Sequence, residues 1–572
     1  MFGKTGTATV DLMNVVGGVG GFVINGQCAN SNSGGGVAGA GDVNGDGLAD
    51  LIVSASGTVG AGSFVVFGQT GGGSINLSAV AAGTGGFRIG GGISVSGAGD
   101  VNGDGLADLI VGAPGAQNND GRVYLVLGKA DTATVAFTNI ENGNGGFVIN
   151  GAVNQTNSFG QSVSGVGDIN GDGLADLVLA DQSSVFSSVG VRRDFVVFGK
   201  ASNAAIDVTA LAAGNGGFLI SGVGNYGVVS GAGDINGDGL ADLIISAPTA
   251  GNDGSSANQA GLSYVVFGQT GTSTIDLVNL RAGGGGGFVI KGQEGDWIGM
   301  SVSSAGDVNG DGLADLLVGA TGHITLGEIG GSYVIFGATT GSFDRTAVDQ
   351  LGTSSDDTLT GSTASESLIA GAGNDTLIGA GGADVLYGGA GNDTFVVNAD
   401  NVAKLAAGPT SMLTDADNPK QLARIDGGNG IDTLKLDSAS IDLTLIANQA
   451  VSAPAGGSRI ESIERIDMTG GGNNTVTLAL KDVLDMAGMN SFNNFNGWAD
   501  GTYDLAAGGA DFSNPESRHQ LVIDGDAGDV VSSSGWGSSV GTVSHGGVTY
   551  NVYNQGLYAQ LLIDTAVTQS VL

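Results

Sequence analysis

Asp42-Val-Asn-Gly-Asp-Gly-Leu-Ala-Asp50 runs directly into the apolar triplet Leu51-Ile52-Val53, and the same nine residues return at 100–108. The string recurs with Ile in second place at 168–176 and 234–242, and with Val again at 307–315, each copy followed by an apolar triplet. Oxygen-bearing side chains stand at places 1, 3, 5 and 9, and glycines at places 4 and 6, where a tight loop needs positive φ. A loop that turns this sharply points alternate side chains inward. Four hard oxygens plus the carbonyl of the leucine at place 7 suit Ca²⁺, which takes about 6–8 oxygen ligands, better than Mg²⁺, which resists giving up its waters. The candidate ligands are therefore Asp42, Asn44, Asp46, Leu48 and Asp50; Asp100, Asn102, Asp104, Leu106 and Asp108; Asp168, Asn170, Asp172, Leu174 and Asp176; Asp234, Asn236, Asp238, Leu240 and Asp242; and Asp307, Asn309, Asp311, Leu313 and Asp315. No loop contains Cys or His, so softer metals have no ligand here.

The first nine places also fit an EF-hand, but place 12, where an EF-hand keeps a bidentate Glu, is Val53, Val111, Leu179, Ile245 or Val318. The flanks are β-rich and punctuated by Gly, which predicts a loop inside a β-hairpin. Turns that bind nothing are the bland alternative. Three Asp and no base in each short loop argue against it, because the carboxylates would repel one another.

The rest of the composition agrees with an all-β chain. Gly supplies 111 of 572 residues without a collagen period, Pro only 6, and apolar residues make up 41%, enough for a sizeable core built from short strands and tight turns. The length predicts more than one domain. A net charge of −37 disfavours nucleic acid and anionic membranes as partners and fits a surface with many cation sites. Cys28 is alone, which rules out a disulfide framework within the chain. No apolar run is long enough for a transmembrane helix, and Met1-Phe2-Gly3-Lys4 lacks the apolar core of a signal peptide.

The first Asp of successive loops is spaced by 58, 68, 66 and 73 residues, a period that means a solenoid or propeller. Other landmarks keep phase with it. A Gly-Gly-Phe strand precedes each loop (Phe22, Phe87, Phe147, Phe218, Phe288), and a strand ending in Gly follows it (Gly68, Gly128, Gly199, Gly268, Gly337). With Phe159-Gly160-Gln161-Ser162-Val163 and Gly112-Ala113-Pro114, the unit resembles the FG-GAP repeat of integrin α-subunit propellers. Repeats one and three depart from the GAP string, at Ser54-Ala55-Ser56 and Leu179-Ala180-Asp181, with their cation loops intact. The resemblance spans residues 1–340 and implies four-stranded blades with Ca²⁺ in hairpin loops on one face. Five blades are visible. The spare strand at Gly21–Ile24 is expected to complete the last blade and close the ring. Because Met1-Phe2-Gly3-Lys4 copies the blade-end string Phe198-Gly199-Lys200, the chain also reads as a piece of a longer protein.

Residues 341–352 read as a linker. From 353 a period of nine appears, with acids at Asp357, Glu366, Asp375, Asp384 and Asp393; its clearest copies are 371–379 and 389–395, with an echo at 428–434. This resembles the RTX nonapeptide, which implies a Ca²⁺-binding parallel β-roll over 353–436. It further implies cations shared by acids 18 residues apart, Asp357 with Asp375 and Asp375 with Asp393, and a metal role for Asp384 opposite Glu366, which departs from the pattern. Residues 437–572 show no clear metal signature, read as a separate β-rich domain, and resemble the terminal region of large RTX adhesins exported by type I secretion.

A search for catalysis finds little. There is no His-Glu-x-x-His, and His323, His519 and His545 are not spaced to chelate together and read as solvated loop residues. Gly537-Ser-Ser539-Val-Gly541 has β-like flanks where a nucleophile elbow needs a following helix. Trp297 and Tyr226 could serve as ligand platforms, and inner-strand packing is the favoured reading. The expectation is a non-enzymatic, calcium-binding, secreted or cell-surface protein whose propeller engages an extracellular protein or glycan, exported by type I machinery. The alternatives are an accessory or weakly active part of an extracellular hydrolase, or a calcium-stabilised spacer.

Overall fold

Each Asp/Asn string closes a β-hairpin, and in the first four the place-4 glycine holds a left-handed φ (Gly45 75°, Gly103 77°, Gly171 79°, Gly237 76°) that reverses the chain in few residues. The computed structural model describes residues 11–17, 21–46, 48–57, 61–69, 73–116, 120–152, 158–182, 191–223, 227–250, 259–293, 295–309, 313–322, 330–338, 349–407, 423–446, 459–487, 492, 519–555 and 559–571.

The hairpins build five antiparallel blades. Blade one is Ser33–Gly41, Asp50–Ala55, Gly62–Val66 and Gly86–Ile89. Blade two is Ser94–Gly99, Asp108–Ala113, Arg122–Val126 and Gly146–Asn150. Blade three is Ser158–Gly167, Asp176–Gln182, Val191–Val197 and Gly217–Val223. Blade four is Val229–Gly233, Asp242–Ala247, Leu262–Val266 and Gly287–Lys291, and blade five is Ile298–Gly306, Asp315–Ala320 and Gly331–Ile335. The apolar triplet after each loop forms the second strand; it is fully buried in blades two to four, while Leu51 of blade one is half-buried and Leu317 of blade five is exposed. A Cβ on Gly112 would lie 2.0 Å from the carbonyl oxygen of Gly160, so the two best-kept landmarks of the repeat meet backbone to backbone across a blade boundary.

The expected ring closure is not made by the spare strand. Phe22–Asn25 pairs in parallel with Gly73–Asn76, and Gly331–Ile335 pairs with Asp315–Ala320 alone among the described residues. The physical reason is a repeated device. The outer strand of one blade receives, in parallel, the short segment that follows the next blade's third strand: Gly146–Asn150 takes Ile206–Asp207, and Gly217–Val223 takes Ile275–Asp276. Phe22–Asn25 plays the same part toward blade one.

The second half winds as a parallel roll. One sheet contains Gln350–Leu351, Ser367–Ala372, Val385–Ala390, Arg424–Asn429 and Ile460–Glu461. Its first strand lies inside the stretch expected to be linker. A second sheet runs through Thr358–Thr360, Thr376–Ile378, Thr394–Val397, Thr433–Leu436, Arg465–Asp467, His519–Asp524 and Ala559–Asp564, and ends in an antiparallel hairpin. One buried apolar column, Leu359-Leu377-Phe395-Leu434-Ile466-Ile523-Ile563, passes through all seven parallel strands in register. The expected boundary between 436 and 437 therefore falls in the middle of a continuous sheet and a single core, and the terminal β-rich region carries the roll onward with longer turns.

Candidate metal centres

The propeller loops are stitched in series. The place-1 carbonyl of each loop accepts from the place-8 N–H of the next: Ala107 N to Asp42 O, Ala175 N to Asp100 O, Ala241 N to Asp168 O and Ala314 N to Asp234 O, all at 3.0 Å. This brings the loops onto one face. The glycine that ends each third strand is required there: on Gly199 a Cβ would meet Leu174 Cβ at 2.6 Å and Val101 O at 2.9 Å.

Within a loop the oxygens have distinct partners. In loop two, Asp100 Oδ1 accepts from Gly103 N and Asp104 N, and Asp100 Oδ2 from Gly105 N. Asn102 Oδ1 accepts from Asp104 N, its Nδ2 donates to Asp104 Oδ2, and Asp104 Oδ1 accepts from Leu106 N. The place-9 Asp is different. Asp108 is fully buried, and its two oxygens accept from Val101 N and Gly128 N, both at 2.9 Å. Asp50, Asp176, Asp242 and Asp315 repeat that pair of bonds, tying each loop to the end of its blade's third strand. Asp311 lies outside the described residues.

No three acids among the described residues stand close enough to cage an ion as they are turned, since their oxygens face loop amides. The donor chemistry nevertheless fits a hard cation. Burial, followed by the nearby Asp42 and Asp46, pushes Asp50 up to about 7 against the hydrogen bonds from Gly68 and Val43 that hold it down. Burial and the companion acids also raise Asp108, Asp176 and Asp242 well above the usual range. Three clustered carboxylates need positive charge, and rotating the side chains at places 1, 3 and 5 would present their oxygens while the backbone stays put.

In the roll, the acids at one edge form a ladder. Asp375 Oδ1 accepts from Asp357 N, Asp393 Oδ1 from Asp375 N and Asp432 Oδ1 from Asp393 N, each at 2.7 Å, and Glu464 Oε2 accepts from Asp432 N at 2.8 Å. The Oδ2 atoms of Asp375, Asp393 and Asp432 are buried without a hydrogen-bond partner among the described residues. Burial raises Asp393 to about 6 and Asp432 to about 9. Orphaned, buried carboxylate oxygens in register are what a column of Ca²⁺ would satisfy. Asp384 sits on the opposite edge. Its Oδ1 accepts from Glu366 N at 3.0 Å, but its Oδ2 accepts from Asn401 Nδ2 at 2.8 Å, so an amide already fills that position. Asn401 belongs to the helix Ala399–Leu405, which interrupts the nonapeptide period.

Asp432 and Glu464 are ladder members absent from the sequence-derived ligand set. The echo at 428–434 signals the first; nothing in the sequence marks the second, which follows a long turn and replaces Asp. His519 is not a solvated loop residue. It opens a buried strand, its Nδ1 lies 2.6 Å from Ala487 O, and burial lowers its pKa. His545 is half-buried on Gly541–His545, while His323 and Tyr226 lie outside the described residues. Trp297 is half-buried in the turn before blade five's inner strand, at φ 53°. Ser539 precedes a strand and bonds Gly541 O, so no elbow forms. No helix among the described residues is long and apolar enough to cross a membrane.

Residues 91–126, 226–266 and 299–335 match the FG-GAP repeat, and residues 360–395 match four copies of the RTX calcium-binding nonapeptide repeat. The chain carries an FG-GAP propeller joined to an RTX roll. The FG-GAP matches fall on blades two, four and five. Integrin alpha-V of Gallus gallus is 28% identical over 240 residues, covering 39% of this chain and 19% of the integrin. Integrin alpha pat-2 of Caenorhabditis elegans is 29% identical over 243 residues, 39% of this chain and 17% of its own length. Integrin alpha-M of Mus musculus is 42% identical over 84 residues, 15% of this chain and 7% of its own. The likeness thus spans less than a fifth of each relative. RTX nonapeptide repeats bind calcium, so Ca²⁺ is the cofactor of this roll.

Proposed function

We propose that this chain is an extracellular, adhesin-like binding protein whose two modules both depend on calcium. The observation that carries this reading is the register of buried, unpartnered oxygens on Asp375, Asp393 and Asp432. An apolar roll with a fully charged acid column inside it is costly unless cations enter. Bound Ca²⁺ would supply the positive charge that these carboxylates lack. Asp357, Asp375, Asp393 and Asp432 would hold it in the RTX roll. In the FG-GAP propeller, the acids and Asn at places 1, 3 and 5 and the leucine carbonyl at place 7 would hold one ion per loop, with the place-9 Asp anchoring each loop and available as a further ligand.

The likeness of the propeller to integrin alpha chains supports a protein or glycan partner. The calcium roll supports export: inside a cell, where free Ca²⁺ is scarce, carboxylate repulsion would keep it open, and at the about millimolar levels outside it would fold. Type I secretion fits that order of events. FG-GAP and RTX repeats are binding and structural modules, and no catalytic role is proposed. The deciding experiment is a screen of residues 1–572 against glycans and extracellular matrix proteins, with Ca²⁺ and with chelator. Calcium-dependent retention on a defined ligand supports the reading, and an empty screen in both conditions counts against the adhesin assignment.

A further inference from the structure

The roll's first sheet has two faces, and the middle of its outward face, Ser367, Ile369, Val385 and Tyr387, is buried, while Leu351 at its start is exposed. Leu368, Leu386, Ile425 and Ile460 point into the roll's core. Their alternates meet the propeller's loop face. Ile369, Val385 and Tyr387 form one buried cluster with Leu313 of loop five. Ser367 Oγ donates to Gly237 O of loop four at 2.8 Å, and Tyr387 Oη donates to Asp234 Oδ2 of the same loop at 2.6 Å. Arg459, 5% exposed, acts by charge on Asp168 and Asp172 of loop three. Lys481 reaches loop two: a Cβ on Gly105 would lie 2.3 Å from its Nζ, and the ammonium acts on Asp100. As the roll's sequence advances from 367 to 481, its contacts pass from loops five and four to loop two.

We propose that the propeller's loop face is the docking surface for this chain's own roll, and that Lys481 is a resident counter-charge that competes with calcium in loop two. The inference rests on the calcium reading of that loop. An ammonium beside an acidic loop partly neutralises it when no ion is there, and repels a divalent ion that arrives. By reciprocity, calcium in this loop weakens docking as much as docking weakens calcium. An outside partner reaches Asp234 and Gly237 of loop four only by displacing the roll.

Hydrogen exchange of the loop amides in the full chain, followed against free Ca²⁺, reads each loop separately. Lys481→Gln, at a half-buried position, is the direct test. In Lys481→Gln the midpoint for protection of residues 100–108 should fall to about threefold lower Ca²⁺ or less, with the midpoint of residues 42–50 unmoved. Calcium protection that is present but unchanged or weakened at 100–108 overturns this inference alone. No calcium-dependent protection in any loop overturns the metal assignment and this inference with it.

Discussion

At the scale of single residues, two aspartates four apart in one loop have different duties. Asp108 accepts from two buried backbone amides, whereas Asp104 is held by its own loop and by Asn102. Replacing Asp108 with Ala strands two N–H groups, each costing about 1–3 kcal/mol. Asp108→Ala should therefore lower the melting temperature in Ca²⁺ and in chelator alike. Asp104→Ala should bind one ion fewer and lose stability mainly in Ca²⁺, because binding to the folded state alone is folding free energy. Equal losses for Asp104→Ala in both conditions would refute its metal role. The raised acids set the pH response. Asp50 (to about 7), Asp393 (to about 6) and Asp432 (to about 9) bind more protons folded than unfolded above pH 4. The calcium-free protein should thus lose stability as pH rises from 5 to 7.5, and saturating Ca²⁺ should abolish that slope. Melting curves at both pH values, with and without chelator, decide it. The loop string itself was legible from residue type and spacing. The docking residues were not, because Tyr387 and Arg459 alternate with core positions just as solvated residues do, and no local pattern separates a face that meets water from one that meets another module.

At the scale of elements, the ladder shows where a sequence period stops being a guide. Parallel pairing keeps Thr358, Thr376 and Thr394 in register at steps of 18 residues, and then Thr433 takes the next place after a turn of 39. The nonapeptide spacing disappears across that turn while the pairing continues, since strands need register and do not need equal loops. The helix Ala399–Leu405 changes one edge as well, by sending Asn401 to Asp384. Calcium stoichiometry by equilibrium dialysis should distinguish the two edges. Asp432→Ala should remove at least one ion. Asp384→Ala should remove none and destabilise instead through its lost bonds to Asn401 and Glu366 N. A loss of calcium in Asp384→Ala with none in Asp432→Ala would reverse the assignment of the edges.

At the scale of the whole molecule, the question is where the roll ends. Motif places its end at 436, since the echo at 428–434 is the last trace of the repeat. The core disagrees: Leu434 is followed in register by Ile466, Ile523 and Ile563, all buried in one cluster. A chain that stops at 436 would leave Leu434 and Leu436 at an open end of a parallel sheet, with unpaired backbone groups along the edge. Such an edge invites association. It would also lack Ile460 from the docking sheet, and Arg459 and Lys481 from the loop face. Residues 1–436 should therefore form soluble aggregates in Ca²⁺ at concentrations where residues 1–572 stay monodisperse, as read by size-exclusion chromatography with light scattering. Circular dichroism should show that Ca²⁺ restores the roll's β-structure cooperatively in the full chain and incompletely in the shortened one. A monodisperse 1–436 that melts within about 2 °C of the full chain would mean that the roll is self-sufficient there, and that the strands after 436 are attached to it without supporting it.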